Sequence, residues 1–525
     1  MDDTGCRGFF LEPVATYHRQ YEALRAFFIE GRRLQDIAQQ FGYRETSLRS
    51  MVCRFRAQVH AGEAPPLFGQ PSLGRPQRQP HVPTPAIPET TVVADARALS
   101  LAPGRRLRTR VAGVFLFLPL LARVRFDQLV SQASYPGSAM VPATSALLSL
   151  LVLKLLDKER RSHINDFNFD EAVGLFAGLN MPPKKSYATD YSYRTIRDHQ
   201  QKLRSGWIGA MAPVLFPHAN TFALDFHPIP FRGDATGLDQ HYLPRRGKAG
   251  TSVLSFFAQE HDSQVLCYAN ANLTRRDQAG EALQFVEFWQ KLTGVNPQWL
   301  YFDSKVVPYP ELSQLNQRGI WFVTIRRRGA AILRRLSALP ARQWRQAVID
   351  TPHRRHQRIR YLDETVHLPG YKGSLRQLAV TGLGRAQPTL FLSNNAKESA
   401  RALIVRYASR NRVEDGLGIS VNFFHIDCLA SEVRLNVDLD TTMTVLANGC
   451  YRWLAKQLRG FDTAAPKQLY RKFVETAGVV DIQPERIVVH FDKRCHNPIL
   501  REAALDQPSQ VIPWLRNLPV VFQYP

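Results

Sequence analysis

The sequence predicts a mixed α/β protein in which a small helical module, a helical domain and an α/β core follow one another, and three observations carry that reading. Residues 61–90 hold Pro65, Pro66, Pro71, Pro76, Pro80, Pro83, Pro85 and Pro88 among Gly, Gln and Arg, a density that forbids a packed element and makes a stiff tether. From about 110 to 218 apolar residues recur three and four apart, the period of helices buried on one side. At Thr221 the texture changes to short β-rich runs separated by helical stretches.

Taken in order, residues 1–60 form the first module. In Leu34 to Leu48 a small residue, Ala38, lies four before Gly42, and apolar Leu48 and Met51 follow. A helix-turn-helix needs a small side chain where two helices touch, a glycine to turn the chain and apolar anchors under the second helix. That helix would present Ser47, Arg49, Ser50 and Arg54 outward, types that reach phosphates and base edges; the bland alternative is a helical hairpin with a solvated basic face. A Pro-rich linker is expected over 61–109. The helical domain, 110–219, is interrupted at Tyr135-Pro136-Gly137 and Met181-Pro182-Pro183. Its apolar runs Val111 to Val124 and Ala143 to Leu156 are too short or too interrupted, by Arg123 and Lys154, to span a bilayer, and read as buried helices.

The core begins with strands expected at Thr221 to Phe226, Ser252 to Gln259, Gln264 to Asn270, Trp299 to Phe302 and Ile320 to Ile325, with a helix from Gln278 to Leu292, in the order β-β-β-α-β-α-β. Its first part spans 220–334. A basic, β-rich stretch, 335–393, follows, and a long helical stretch opens the remainder, 394–525, near Ala396. Arg486 to Phe491 and Val511 to Phe522 read as strands closing the C-terminal side.

Charge narrows the function. Sixty-eight Lys and Arg against 45 Asp and Glu give a net charge of +23, which points to a polyanionic partner, nucleic acid before membrane surface. Residues 321–410 alone hold 18 basic and 4 acidic residues. Six scattered cysteines without a C-x-x-C pair encode neither a zinc ribbon nor a disulfide framework, and the N-terminus has no apolar signal core, so a cytoplasmic protein is expected. No Gly-x4-Gly-Lys-Ser/Thr loop occurs, which argues against ATP use, and Arg354-Arg355-His356 and Cys495-His496 lack spaced metal-binding partners.

Three acids stand out by context. Asp225 follows the apolar run Thr221 to Leu224 and Asp303 follows Trp299 to Phe302, so each is expected at or just beyond the end of a buried strand, where an unpaired carboxylate is costly. Glu414 lies in Tyr407-Ala408-Ser409-Arg410-Asn411-Arg412-Val413-Glu414, and offsets of three and seven put Tyr407, Arg410 and Glu414 on one face of a continuous helix. Each acid alone reads as an ordinary surface or strand-end residue. Jointly they suit hard divalent cations, which take oxygen ligands and leave positions open for water and phosphate.

An aspartate on the first strand, a second after the fourth strand, and Y-x2-R-x3-E on a later helix resemble the DDE transposases of bacterial insertion sequences. The resemblance covers roughly residues 220–460, and Leu224 to Phe231 around the first aspartate is similar to that family as well. It implies an RNase H-like mixed-sheet catalytic core with a β-rich insertion, preceded by the helical domain and the helix-turn-helix. It implies Asp225, Asp303 and Glu414 as catalytic ligands of two Mg2+ ions, with Mn2+ a possible substitute, and Tyr407 and Arg410 as phosphate contacts. Arg326, Arg327 and Arg328 are backbone-clamping candidates on charge alone. The chain departs from the family at Val421, where a lysine is frequent. The implied partners are double-stranded DNA, as terminal inverted repeats and target, with no membrane, and a homodimer in the synaptic complex. The alternative is a catalytically inactive, transposase-derived DNA-binding regulator.

Overall fold

The structure is a computed structural model of the chain, and it describes residues 10–13, 15–62, 99–231, 238–243, 246–351, 354–408, 410–428 and 433–525, the side chains at 354 and 411–414 excepted. Two compact units, Met1–Thr90 and Thr91–Pro525, make up a mixed α/β protein. Among the described residues no helix is long and apolar enough to cross a membrane.

The first unit holds α1 (Thr16–Phe28), α2 (Leu34–Phe41) and α3 (Glu45–His60). Ala23, Ala26, Ile37, Ala38, Phe41 and Leu48 form its core, so the small residue and the apolar anchor expected at a two-helix contact are both buried. Gly42 ends α2 in the left-handed region, at φ 68° and ψ 33°, while Tyr43 N–H donates to Ala38 O at 2.8 Å. A side chain is strained in that conformation. Gly42→Ala should cost about 1–2 kcal/mol, seen as faster proteolysis of residues 15–62 in the full chain; unchanged proteolysis would refute a required left-handed turn. Ser47, Arg49, Ser50 and Arg54 are all exposed on α3. Arg49 pairs with Glu45 at 2.8 Å in the open, a contact of little energetic weight.

The expected linker over 61–109 is corrected at its end. Positions 63–98 lie outside the described residues, but Arg106–Thr109 is a strand, β1, with Leu107 and Thr109 turned inward. Period-two alternation over only four residues is too short a signal beside the prolines. The two apolar runs are buried as expected, the first as a 3-10 segment Ala112–Phe117 with a short helix Leu118–Arg123, the second as α4 (Ala143–Leu155). Helix α5 (Arg197–Leu215) completes this region, whose apolar residues join one cluster with the core strands rather than closing on themselves.

The core strands are β2 (Thr221–Pro230), β3 (Gln240–Leu243), β4 (Lys248–Glu260), β5 (Leu266–Leu273), β6 (Trp299–Phe302) and β7 (Trp321–Arg326). Between them lie α6 (Glu281–Thr293) and α7 (Tyr309–Gln317). Strand order runs β5-β4-β2-β6-β7, the first three antiparallel and β2, β6 and β7 mutually parallel. Beyond α8 (Ala330–Ser337), the expected β-rich stretch supplies β8 (Arg345–Thr351), β9 (Arg354–Val366), β10 (Leu375–Thr381) and β11 (Thr389–Ser393). It is no separate lobe: β11 pairs antiparallel with β7, and β10, β9 and β8 follow outward, so one ten-stranded sheet runs through both parts.

Chain direction then returns to the sheet through α9 (Ala400–Ala408), α10 (Asn411–Asn422) and the long α11 (Arg434–Gln457). Helix α11 is buried along nearly its whole length, and its two aspartates are paired with the helical region: Asp438 with Arg204 at 2.7 Å and Asp440 with Lys154 at 2.8 Å. The C-terminal strands β12 (Gly478–Ile482), β13 (Ile487–Phe491), β14 (Val511–Ile512) and β15 (Leu518–Gln523) join β1 in a second sheet, ordered β1-β12-β13-β15-β14.

Candidate active site

Asp225 is not at the end of its strand, as expected, but midway along β2. What ends there is the pairing with β6: the parallel register runs Thr221↔Trp299 to Leu224↔Phe302, and Asp225 and Asp303 are the next residues on each chain. Adjacent strands lie about 4.8 Å apart, so the two backbones bring their aspartates side by side at the C-terminal end of β6. Strand alternation puts Asp225 on the face of Ala223, and Asp303 on that of Tyr301, the side packed by α9. Asp225 is half-buried and its Oδ1 accepts from Phe226 N–H at 2.9 Å, while Asp303 Oδ1 accepts from Ser304 N–H at 2.6 Å.

The Tyr407 to Glu414 segment is not one continuous helix. Arg410 N–H donates to Tyr407 O at 2.9 Å, one residue short of the helical partner, and α10 starts at Asn411. Asparagine and serine offer the backbone local alternatives to helical hydrogen bonds, and this stretch carries Ser409 and Asn411 in succession around Arg410. The single-face expectation therefore fails in its geometry, yet the turn gathers the same residues. The Arg410 guanidinium lies over the Tyr407 ring, 5.5 Å from its centroid, and its Nη1 is 3.5 Å from Asp225 Oδ2. Tyr407 and Arg410 are both buried, Tyr407 edge-on to Phe391.

Helix α9 is clamped onto β6 by Arg406. Its guanidinium donates to both Glu398 oxygens, at 2.8 and 2.6 Å, and to Tyr301 Oη at 3.2 Å, and stacks over Trp299. The hydrogen bond to Glu398 holds the Arg406 pKa above its ordinary value, and burial pushes the Tyr301 phenol up. Helix α10 lies close against β2 and β4: a Cβ at Gly416 would stand 2.6 Å from Gln259 Oε1, so a larger residue there would have to displace the Gln259 amide. Glu414 is two residues earlier on that helix, one and two turns before the buried Leu417 and Val421, and its side chain lies outside the described residues. Val421 faces the core. His227, two residues past Asp225, holds Asp427 at 2.7 Å, tying β2 to the turn Ile426–Cys428.

The arginines after β7 divide. Arg326 Nη1 donates to Gln377 Oε1 at 2.6 Å inside the sheet, whereas Arg327 and Arg328 are exposed. Ser47, Arg49 and Arg54 belong to the other unit. The donors gathered at the sheet end are all carboxylate oxygens, a chemistry that fits a hard divalent cation, and the guanidinium already beside Asp225 shows that positive charge is accommodated there. Among the described residues alone, no three His, Cys, Asp or Glu side chains come together as a ligand group. Sequence reasoning passed over Arg406, His227 and the cavity behind Asp303 lined by Lys305 and Thr324. Of these only Lys305, in Asp303-Ser304-Lys305, carries a local signal.

No family model matches the chain, and no curated protein matches it.

Proposed function

We propose that the protein is a DNA transposase of the DDE kind, cleaving strands at element ends and joining the freed 3'-hydroxyl to target DNA. The observation that carries this is that Asp225 and Asp303 lie side by side where the parallel pairing of β2 with β6 ends, with the Tyr407-Arg410 turn against Asp225 and the Glu414 helix laid over β2. The β5-β4-β2-β6-β7 order, with its antiparallel first three strands and parallel last two, supports an RNase H-like core. The Gly42 turn and the exposed basic face of α3 support a helix-turn-helix reader of the terminal repeats.

In this reading Asp225, Asp303 and Glu414 hold two Mg2+ ions, which when bound activate a water or 3'-hydroxyl and neutralise charge at the phosphorus. The chain's own residues set the frame for it. Two adjacent carboxylates repel unless countercharged, and the Arg410 guanidinium, 3.5 Å from Asp225 Oδ2, supplies positive charge beside them. Arg406 fixes α9 on β6, so the buried Tyr407 and Arg410 cannot drift from the sheet end.

Full-length protein should nick a labelled duplex carrying the inverted repeat that flanks its coding region, with Mg2+ or Mn2+ and not with EDTA. Binding without nicking under any divalent cation would favour the inactive-regulator alternative. Binding should also weaken roughly 10³- to 10⁵-fold between 50 and 200 mM salt if about six to ten phosphates are contacted; a flat salt dependence would remove DNA from the reading.

A further inference from the structure

Behind the carboxylates, across the loop that follows Asp303, lies a cavity of about 510 Å³. Three cations reach it from three separate segments: Arg275 after β5, Lys305 after β6 and Arg327 after β7. No acidic residue lines it among the described residues, and neither Lys305 nor Arg327 has a carboxylate partner there. Arg275 is braced by its own hydrogen bond to Gln240 O at 3.1 Å. Its floor holds Thr324, 3% exposed, whose hydroxyl has no hydrogen-bond partner in the structure. A buried hydroxyl without a partner is uncommon and costs about 1–3 kcal/mol of desolvation. The wall opposite includes the first turn of α7, a nine-residue helix whose dipole puts partial positive charge at that end.

Cations without anions, a helix start and an unsatisfied donor together describe a receptor for a phosphate. By register Thr324 stands level with Phe302, on the sheet face away from Asp225, so the cavity and the carboxylates occupy opposite sides of one sheet end. We propose that this cavity is a second phosphate site, which takes a phosphodiester of the DNA strand a nucleotide or more from the one at Asp225 and Asp303. The strand assignment rests on the transposase reading; the phosphate chemistry does not.

The test uses full-length protein and three probes: inorganic phosphate, a 5'-phosphorylated thymidine dinucleotide, and a duplex of random sequence. The wild type should bind the dinucleotide, and K305A/R327A should lose at least about tenfold in that affinity and lower the salt slope of duplex binding by about one, for the one phosphate no longer neutralised. T324V, which keeps shape and charge, should lose about three- to tenfold for the dinucleotide, the range expected for one hydrogen bond. Wild-type affinity and slope in K305A/R327A would overturn the site. Binding of inorganic phosphate without the dinucleotide would overturn the strand assignment, leaving a site for free phosphate. Because none of these readouts needs cleavage, a protein that binds as described but never nicks DNA would sink the transposase reading and leave the phosphate site standing.

Discussion

Asp225→Ala is expected to lower strand cleavage by about 10³-fold or more, roughly 4 kcal/mol of transition-state stabilisation, while binding to the DNA end stays within a few-fold of wild type. The separation of the two effects follows from placement. Asp225 is half-buried beside Asp303 where the β2–β6 pairing ends, and the exposed residues of α3 that would read DNA belong to the other compact unit. One side effect is built in, because the substitution removes a carboxylate from beside the buried Arg410 guanidinium. Asp225→Asn separates the contributions: it keeps a hydrogen-bond acceptor for Arg410 and removes the charge a cation needs. Both variants should cleave at background level in Mg2+, with circular dichroism unchanged for Asn. Cleavage by Asp225→Asn at the wild-type rate would remove this residue from the chemistry.

The second large effect is on folding. Asp438→Ala should cost about 3–5 kcal/mol, the loss expected when one partner of a buried pair is removed and a charge is stranded. Arg204 and Asp438 are almost wholly buried, 2.7 Å apart, and Arg204 reaches Thr442 Oγ1 at 3.2 Å as well. They join α5 to α11, so the loss is expected as a lower urea midpoint for the unit that contains the sheet. Replacing both partners with apolar residues, Arg204→Met with Asp438→Leu, should recover much of it, since a packed apolar pair avoids the desolvation cost of two ions. A loss under about 1 kcal/mol in Asp438→Ala would mean that water reaches the pair and that α11 is held by its apolar face alone.

Much of the core was legible because its signals are local. Trp299–Phe302 is four apolar residues with an aspartate after them, and β6 has those bounds. Strand β2 was read too short because Pro228 and Pro230 suggest an end. With β6 finished at Phe302, one edge of β2 is open from Asp225 onward, and an open edge is where proline is tolerated. The break before Asn411 escaped because spacing arguments assume a helix that continues, and only side chains with local hydrogen-bonding alternatives hint otherwise. Pairings between distant segments, such as Thr109 with Gly478 or Val323 with Ser393, leave no period to find. The same holds for the cavity, whose Arg275, Lys305, Thr324 and Arg327 meet only after the sheet has formed.

That the inserted strands extend the core sheet, instead of hanging from it, makes the sheet a measuring device. From β2 to β9 the path crosses β6, β7, β11 and β10 through hydrogen-bonded ladders, with no hinge on the way. Five steps of about 4.8 Å set a fixed separation of about 24 Å between β2 and β9. Whatever the outer strands hold would therefore stand at a set distance from β2, fixed by the number of strands between them rather than by any linker.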